Sequence, residues 1–301
     1  MKIKKIWAAA FSPTGGTEHV VSLLAEEIGK YLQLPVHKIS FTLPDERKKN
    51  YTFTEEDMLI LGTPVYAGRI PNKILPDVGR GFEGTHTPAV AVSVFGNRNF
   101  DDGLMELALL LEYHGFCVAA AAAAAARHAF SDDIGTGRPD RQDEEELRVF
   151  ARKTAEKIKK LSGEEKTVSS NDGIIRCRPE ELSEQLQTVW GAAALKITGN
   201  NPVGPYYTPL RADGQPAKFL KAKPVTDETL CTQCGTCASV CPMGSIRSDD
   251  CSIVEGICIK CQACIRKCPV QAKYFEDKDF LSHREMLKEN YKRRAENVFF
   301  I

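Results

Sequence analysis

Over the first 165 residues, short apolar runs alternate with stretches in which apolar side chains recur every three or four positions. The runs at 3–11, 36–41, 57–65, 88–95 and 116–126 read as strands. The first helix leaves a glycine-threonine loop with Val20, Val21, Leu23, Leu24, Ile28 and Leu32 toward one side and Glu26 and Glu27 toward the other, so it is amphipathic and covers a sheet. Further helices are predicted at 72–80, 102–114 and 142–161, the last carrying Leu147, Phe150, Ile158 and Leu161 along one side. This alternation predicts an α/β fold with helices on both faces of a five-stranded, doubly wound parallel sheet.

The run at 119–126 sets propensity against context, because alanine is the best helix former. It follows Gly115-Phe116-Cys117-Val118 and fills the fifth-strand slot, where small side chains let a helix or cofactor approach closely, so a strand is expected. Between 166 and 224 the periodicity weakens. Pro179 opens a predicted helix to about residue 196, which Gly199-Asn200-Asn201-Pro202 and Gly204-Pro205 end. Residues 206–224 read as an extended connector, either pinned to a domain by Tyr206, Tyr207 and Phe219 or left as a mobile linker. A small α+β unit is expected at 225–275. Residues 276–301 form a charged tail, predicted to be helical over 279–297 with its charges on a solvated face.

Composition narrows the function. Forty basic residues balance forty acidic ones, so neither a nucleic-acid groove nor an anionic membrane surface is indicated. Lys2, Lys4 and Lys5 followed by an apolar stretch from Ile6 to Phe11 imitate a signal peptide. The stretch is shorter than the usual ~7 to 15 residues and reads as a buried strand. No apolar run approaches the ~18 to 20 residues of a membrane span. A cytoplasmic protein of an anaerobe or a reducing cytosol is expected.

Eight of the eleven cysteines fall in two copies of one pattern, Cys231-x2-Cys234-x2-Cys237-x3-Cys241-Pro242 and Cys258-x2-Cys261-x2-Cys264-x3-Cys268-Pro269. A zinc ribbon would use four of these sulfurs and strand four, and a disulfide scaffold would need an oxidising compartment. The pattern resembles the ligand run of bacterial two-cluster ferredoxins, in which three closely spaced thiolates wrap one cube and the fourth is carried to the other. The resemblance implies two 4Fe-4S clusters, one on Cys231, Cys234, Cys237 and Cys268, the other on Cys258, Cys261, Cys264 and Cys241. Cys117, Cys177 and Cys251 lie outside the spacing and are read as small buried hydrophobes.

Directly after the first strand, Ser12-Pro13-Thr14-Gly15-Gly16-Thr17 leads into a helix. Glycines that let the backbone close on an anion, hydroxyl donors and a helix N-terminus suit a single terminal phosphate, while a plain glycine turn with a threonine cap is the bland alternative. The loop is neither G-x-G-x-x-G nor G-x-x-x-x-G-K-[ST], which disfavours dinucleotides and nucleoside triphosphates.

Ser-x-Thr-Gly-x-Thr at this place resembles the phosphate loop of flavodoxins, and the strand count and order are similar to that fold. The resemblance implies bound FMN, its phosphate held by Ser12, Thr14, Gly15, Gly16 and Thr17. The loops holding Pro64, Tyr66 and Ala67 and holding Gly96, Asn97 and Arg98 stand where flavodoxins place the isoalloxazine, beyond the carboxyl ends of the strands. Tyr66 is the candidate for stacking on the ring or else caps the sheet. Amides near Gly96 and Asn97 are candidates for its pyrimidine edge. Arg98 either contacts the ring or is exposed, and Phe100 is a candidate core residue. His19 and His128 read as structural or exposed.

Together the modules resemble the flavodoxin-ferredoxin fusion proteins of anaerobic bacteria and archaea. The implied function is electron transfer between the clusters, FMN and an external redox partner protein or small-molecule acceptor. The alternative is a flavin-dependent oxidoreductase acting on a small substrate at the ring. A nonredox scaffold with the clusters as staples ranks below both.

Overall fold

The computed structural model describes residues 3–163 and 190–301. Strands β1 (Lys5–Ala10), β2 (Val36–Ser40), β4 (Asp57–Pro64), β6 (Thr87–Phe95) and β7 (Phe116–Ala125) form a parallel sheet in the order β2-β1-β4-β6-β7. A short parallel pair, β3 (Tyr51–Phe53) with β5 (Phe82–Gly84), lies beside it. Helices α1 (Gly16–Leu32) and α4 (Arg141–Gly163) cover one face, burying Val20, Leu24, Ile28, Leu147 and Phe150. Helices α2 (Leu75–Gly81) and α3 (Gly103–Tyr113) cover the other, where Val78, Leu104, Leu107 and Leu111 meet Phe53 and Phe82. Both faces of the central strands are therefore apolar, as a doubly wound sheet requires.

The alanine run is extended and wholly buried. Its small side chains alternate between the two cores, with Ala121, Ala123 and Ala125 on one face and Ala120, Ala122 and Ala124 on the other. Tertiary burial overrides alanine's helix propensity here.

Two expectations need correction. The sheet gains a sixth strand, β10 (Val298–Phe300), antiparallel to β7 with Phe299 opposite Ala122. Phe299 stacks on Phe150 at 4.9 Å, which fixes the added strand against α4. The tail is thus helical only over α7 (Lys278–Asn290), and that helix buries Phe280, His283, Met286 and Leu287. The helix expected from Pro179 falls mostly outside the described residues. Its final part, 190–196, is a series of turns in which Gly191 (φ 98°) and Lys196 (φ 54°) leave the helical region.

The connector is pinned. Asp102 accepts hydrogen bonds from Asn200 N and Gly204 N, both at 2.8 Å, and Arg69 Nη1 donates to Gly204 O at 2.8 Å. Tyr206 donates its hydroxyl to Ile70 O and Tyr207 its amide to Ala67 O, both at 2.8 Å. The cysteine-rich unit follows, with an antiparallel pair β8 (Val225–Thr226) and β9 (Lys273–Tyr274) and two single-turn helices, α5 (Thr236–Ser239) and α6 (Ala263–Arg266). It docks through Arg266, whose guanidinium donates to His128 O and Ala129 O and pairs with Asp132 at 2.6 Å, and through Arg47, which donates to Pro242 O at 2.6 Å. Phe219, Phe275 and Phe280 form a small core between connector, second cysteine run and α7. Among the described residues, no helix is long and apolar enough to cross a membrane.

The segment before β10 is fastened by Asn97. Its buried carboxamide donates to Tyr291 O (2.8 Å) and Arg293 O (2.7 Å) and accepts from Ala295 N (3.0 Å) and Arg138 Nη1 (3.2 Å). Arg138 in turn forms a buried fork with Asp143, at 2.9 and 2.5 Å. Asn97 sits at φ 62°, which glycine adopts freely. Asn97→Gly therefore removes the bonds without adding backbone strain. It should lower unfolding free energy by about 2–3 kcal/mol and speed amide exchange at 291–297, because buried partners lose their bonds; unchanged exchange there would refute the fastening.

His128 accepts from Phe130 N at Nδ1, and burial holds its imidazole down at about 3 from an ordinary 6.5. Between those values the unfolded chain binds a proton that the folded chain does not, so stability is lost as pH falls through this window. His128→Gln should flatten that part of the stability profile in a denaturation series.

Candidate cofactor sites

The loop after β1 is shaped by Gly15, whose φ of +92° makes it the left-handed entry to α1. Ser12 accepts the amide of Glu18 at 2.9 Å, and Ser12 N donates to Thr42 Oγ1 at 2.8 Å, so Thr42 braces the loop from the end of β2. Among the described residues, the amides of Gly16 and Thr17 at the helix start have no protein acceptor. A Cβ placed on Gly15 or Gly16 would meet nothing within 4 Å, so the cradle is open. Free helix-start amides, hydroxyls and an open glycine surface fit a phosphate.

This cradle forms one end of a cavity of about 240 Å³. Ser12, Thr14, Gly16, Thr17, Pro64, Tyr66, Ala67, Gly96 and Arg98 line it, while Gly15 and Asn97 do not. The Pro64 loop turns through Ala67 (φ 49°) and Gly68 (φ 81°), closed by paired backbone bonds between Tyr66 and Arg69. The two positive φ values give the tight reversal that points Tyr66 into the cavity wall. Gly68 is required in a second way, since a Cβ there would stand 2.4 Å from Asp101 Oδ2.

The Gly96 loop differs from expectation. The amide of Asn97 donates to Phe95 O (3.0 Å) and that of Arg98 to Gly96 O (2.8 Å), so both are committed to the loop's own turns. The Asn97 side chain is spent on the C-terminal segment. Arg98 lines the cavity but is mostly covered, paired with Asp101 and placed 4.2 Å from the Tyr207 ring centre. Phe100 packs on the core, in ring contact with Phe95.

The far side of the cavity comes from residues that local patterns do not single out: His128, Phe130, Ile259, Lys260 and His283, with Tyr207 and Phe219 of the connector. They are remote in sequence and meet only through docking of the cysteine unit and α7. Tyr66 is raised well above its ordinary phenol value by burial and, next, by the thiols of Cys261 and Cys258; it lines the same cavity as Ile259 and Lys260 of the second cysteine run.

A second cavity is lined by Cys241, Cys258, Cys261 and Cys264, with Ile246, Val254 and Phe275 around them. Cys241 comes from the first run and the other three from the second, the crossed set that the ferredoxin resemblance implies. Burial is the main cause that pushes Cys264 up to about 12 and Cys261 higher still; neighbouring thiols add to it. Such sulfurs become thiolates only beside strong positive charge, which an iron cluster supplies. Among the described residues, no three His, Cys, Asp or Glu side chains converge tightly enough for a single metal ion.

In the other set, Cys234 is exposed, Cys231 and Cys268 are half-buried, and Cys237 is buried. Burial and then the adjacent Cys251 push Cys237 up to about 11, so Cys251 is indeed buried but touches the set. The backbone repeats as the sequence does. Left-handed residues Gln233, Gly235 and Gly244 recur 27 positions on as Lys260, Gln262 and Gln271. Ser245 N donates to Cys241 Sγ (3.4 Å) and Ala272 N to Cys268 Sγ (3.3 Å).

Family models described as 4Fe-4S binding domain match residues 224–247 and 255–271. No protein of curated function matches the sequence. Among solved structures, a flavodoxin from the domain Archaea aligns at 17% identity and TM-score 0.34, covering 52% of this chain and 99% of that one. A short-chain flavodoxin associated with a non-canonical PDU bacterial microcompartment aligns at 16% and 0.33, covering 54% and 100%. Rubredoxin oxygen:oxidoreductase from the anaerobe Desulfovibrio gigas aligns at 18% and 0.32, covering 54% and 38%. The chain thus joins a first half whose parallel sheet has the doubly wound order 2-1-3-4-5 to a second half with two matched 4Fe-4S binding domains.

Proposed function

We propose that the protein moves electrons between two 4Fe-4S clusters, bound FMN and an external redox partner. The observation that carries this reading is a shared wall: Ile259 and Lys260 line both the cavity that begins at the phosphate cradle and the cavity ringed by Cys241, Cys258, Cys261 and Cys264. A redox centre in one would be separated from a centre in the other by a single layer of residues.

The roles follow from position. Ser12, Thr14 and Thr17 offer hydroxyls, and Gly16 and Thr17 amides, to the phosphate. Tyr66 flanks the ring on the side of the second cysteine run. Tyr207, Phe219 and His283 cover the cavity and exclude water. A one-electron partner protein reaches the outer cluster, on Cys231, Cys234, Cys237 and Cys268, from the side of Cys234, which is exposed. When bound, the flavin supplies exchange between one- and two-electron chemistry, which clusters alone do not. A second reading, turnover of a small substrate at the ring, is favoured by the space walled by His128, Phe130 and His283. Reoxidation of reduced flavin that depends on a particular small molecule would support it.

Protein reconstituted anaerobically should hold two 4Fe-4S clusters and one FMN per chain, and reducing the clusters should bleach the flavin without added mediator. A flavin that stays oxidised despite a favourable potential would overturn intramolecular transfer. Gly15→Val forces a branched side chain into φ +92°. It should weaken FMN binding about tenfold or more while leaving the iron content unchanged, read by fluorescence titration of the apoflavoprotein and iron analysis.

A further inference from the structure

The two cysteine runs are near-copies in sequence and backbone, so a difference at matched positions isolates what distinguishes the clusters they would hold. Position 233 in the first run and 260 in the second share the same left-handed turn, at φ 54° and 57°. The first is glutamine and the second lysine. Gln233 is exposed; its Oε1 accepts from Cys251 N at 2.8 Å, and its Nε2 lies 3.5 Å from Asp250 Oδ1. The first run therefore has a neutral amide and a carboxylate at this corner.

Lys260 is only 8% exposed. Its amide donates to Cys258 Sγ at 3.4 Å, and its ammonium donates to Leu220 O of the connector. Among the described residues, no carboxylate lies within ion-pairing distance of it, and Asp277 acts only from farther away. The residue is therefore buried, its ammonium uncompensated at close range, and it lines both cavities. Of the other cations near these sulfurs, Lys273 is also buried, but its ammonium donates to Thr226 Oγ1 at 2.6 Å and to the carbonyl of Cys251, which packs with Cys237 and Cys264 of both sets. Lys223 acts on Cys258 but is tied to Val254 O and Glu255 O at the surface.

On the reading proposed above, we propose that Lys260 is the charge that raises the reduction potential of the inner cluster, on Cys241, Cys258, Cys261 and Cys264, relative to the outer one. A cluster that accepts an electron gains a negative charge, and a nearby cation in a low-dielectric interior favours that form. Burial of the inner sulfurs acts in the opposite direction, by disfavouring added charge. Lys260 offsets it. Electrons delivered singly by a donor protein at the exposed Cys234 side then pass inward, each step oxidising the cluster it leaves and reducing the one it enters, with no bond made or broken.

The test is potentiometric titration of reconstituted protein, with each cluster followed by electron paramagnetic resonance. Lys260→Gln, which installs the first run's residue, should move one midpoint to more negative potential and leave the other in place. Lys260→Arg, which keeps the charge, should stay near the parent. Gln233→Lys should raise the midpoint that Lys260→Gln leaves alone. Unchanged midpoints in Lys260→Gln at full iron and flavin content would overturn the role of Lys260 while leaving the electron-transfer reading intact. An equal shift in Lys260→Arg would overturn it too, by assigning the effect to packing. If Lys260→Gln fails to assemble, Gln233→Lys decides, since no rise there removes the argument. Parent protein lacking either cofactor would instead sink the underlying reading.

Discussion

The guanidinium of Arg266 is the contact on which the arrangement of sites depends. One planar group, standing between Cys264 and Cys268 of the second cysteine run, reaches the carbonyls of His128 and Ala129 and the carboxylate of Asp132, all just after β7. Arginine suits this place because its donors diverge in a fixed plane and its charge does not titrate away. The contact seats the cysteine unit over the carboxyl ends of the strands, where open α/β sheets bind ligands. The common wall of Ile259 and Lys260 follows from that seating.

Around this junction, irregular backbone is concentrated at positions that shape a site. Ala67, Asn97, Gln233, Lys260 and Gln262 all occupy the left-handed region without being glycine. Such conformations persist only where their surroundings hold them, and here the surroundings are the cavity loops and the cysteine turns. The sheet below contributes rigidity: apolar on both faces, it fixes the loop tips so that side chains from four distant segments can converge.

Much of this was legible from the chain. The five parallel strands and their helices follow from apolar periodicity, because burial on two faces leaves a strong local signal. The cysteine runs and the loop from Ser12 to Thr17 are legible because their chemistry is local. What escaped was non-local. Val298–Phe300 is too short to read as a strand until Phe299 meets Phe150 and the alanine edge. Asn97 looks like a ring contact because it stands at the right loop, but three of its four side-chain partners lie nearly two hundred positions downstream. The Gln233–Lys260 contrast was present in the sequence all along; only the matched turns show that the two residues occupy equivalent corners.

The antiparallel addition of β10 has a consequence for biosynthesis. Ala125 N waits for Asn297 Oδ1, 172 residues farther along, before that margin of the sheet is satisfied. During translation the alanine strand therefore presents an open flank throughout synthesis of both cysteine runs, and unpaired strand flanks invite pairing with other chains. Closure of the nascent sheet is thereby made to wait until both cysteine runs have been synthesised.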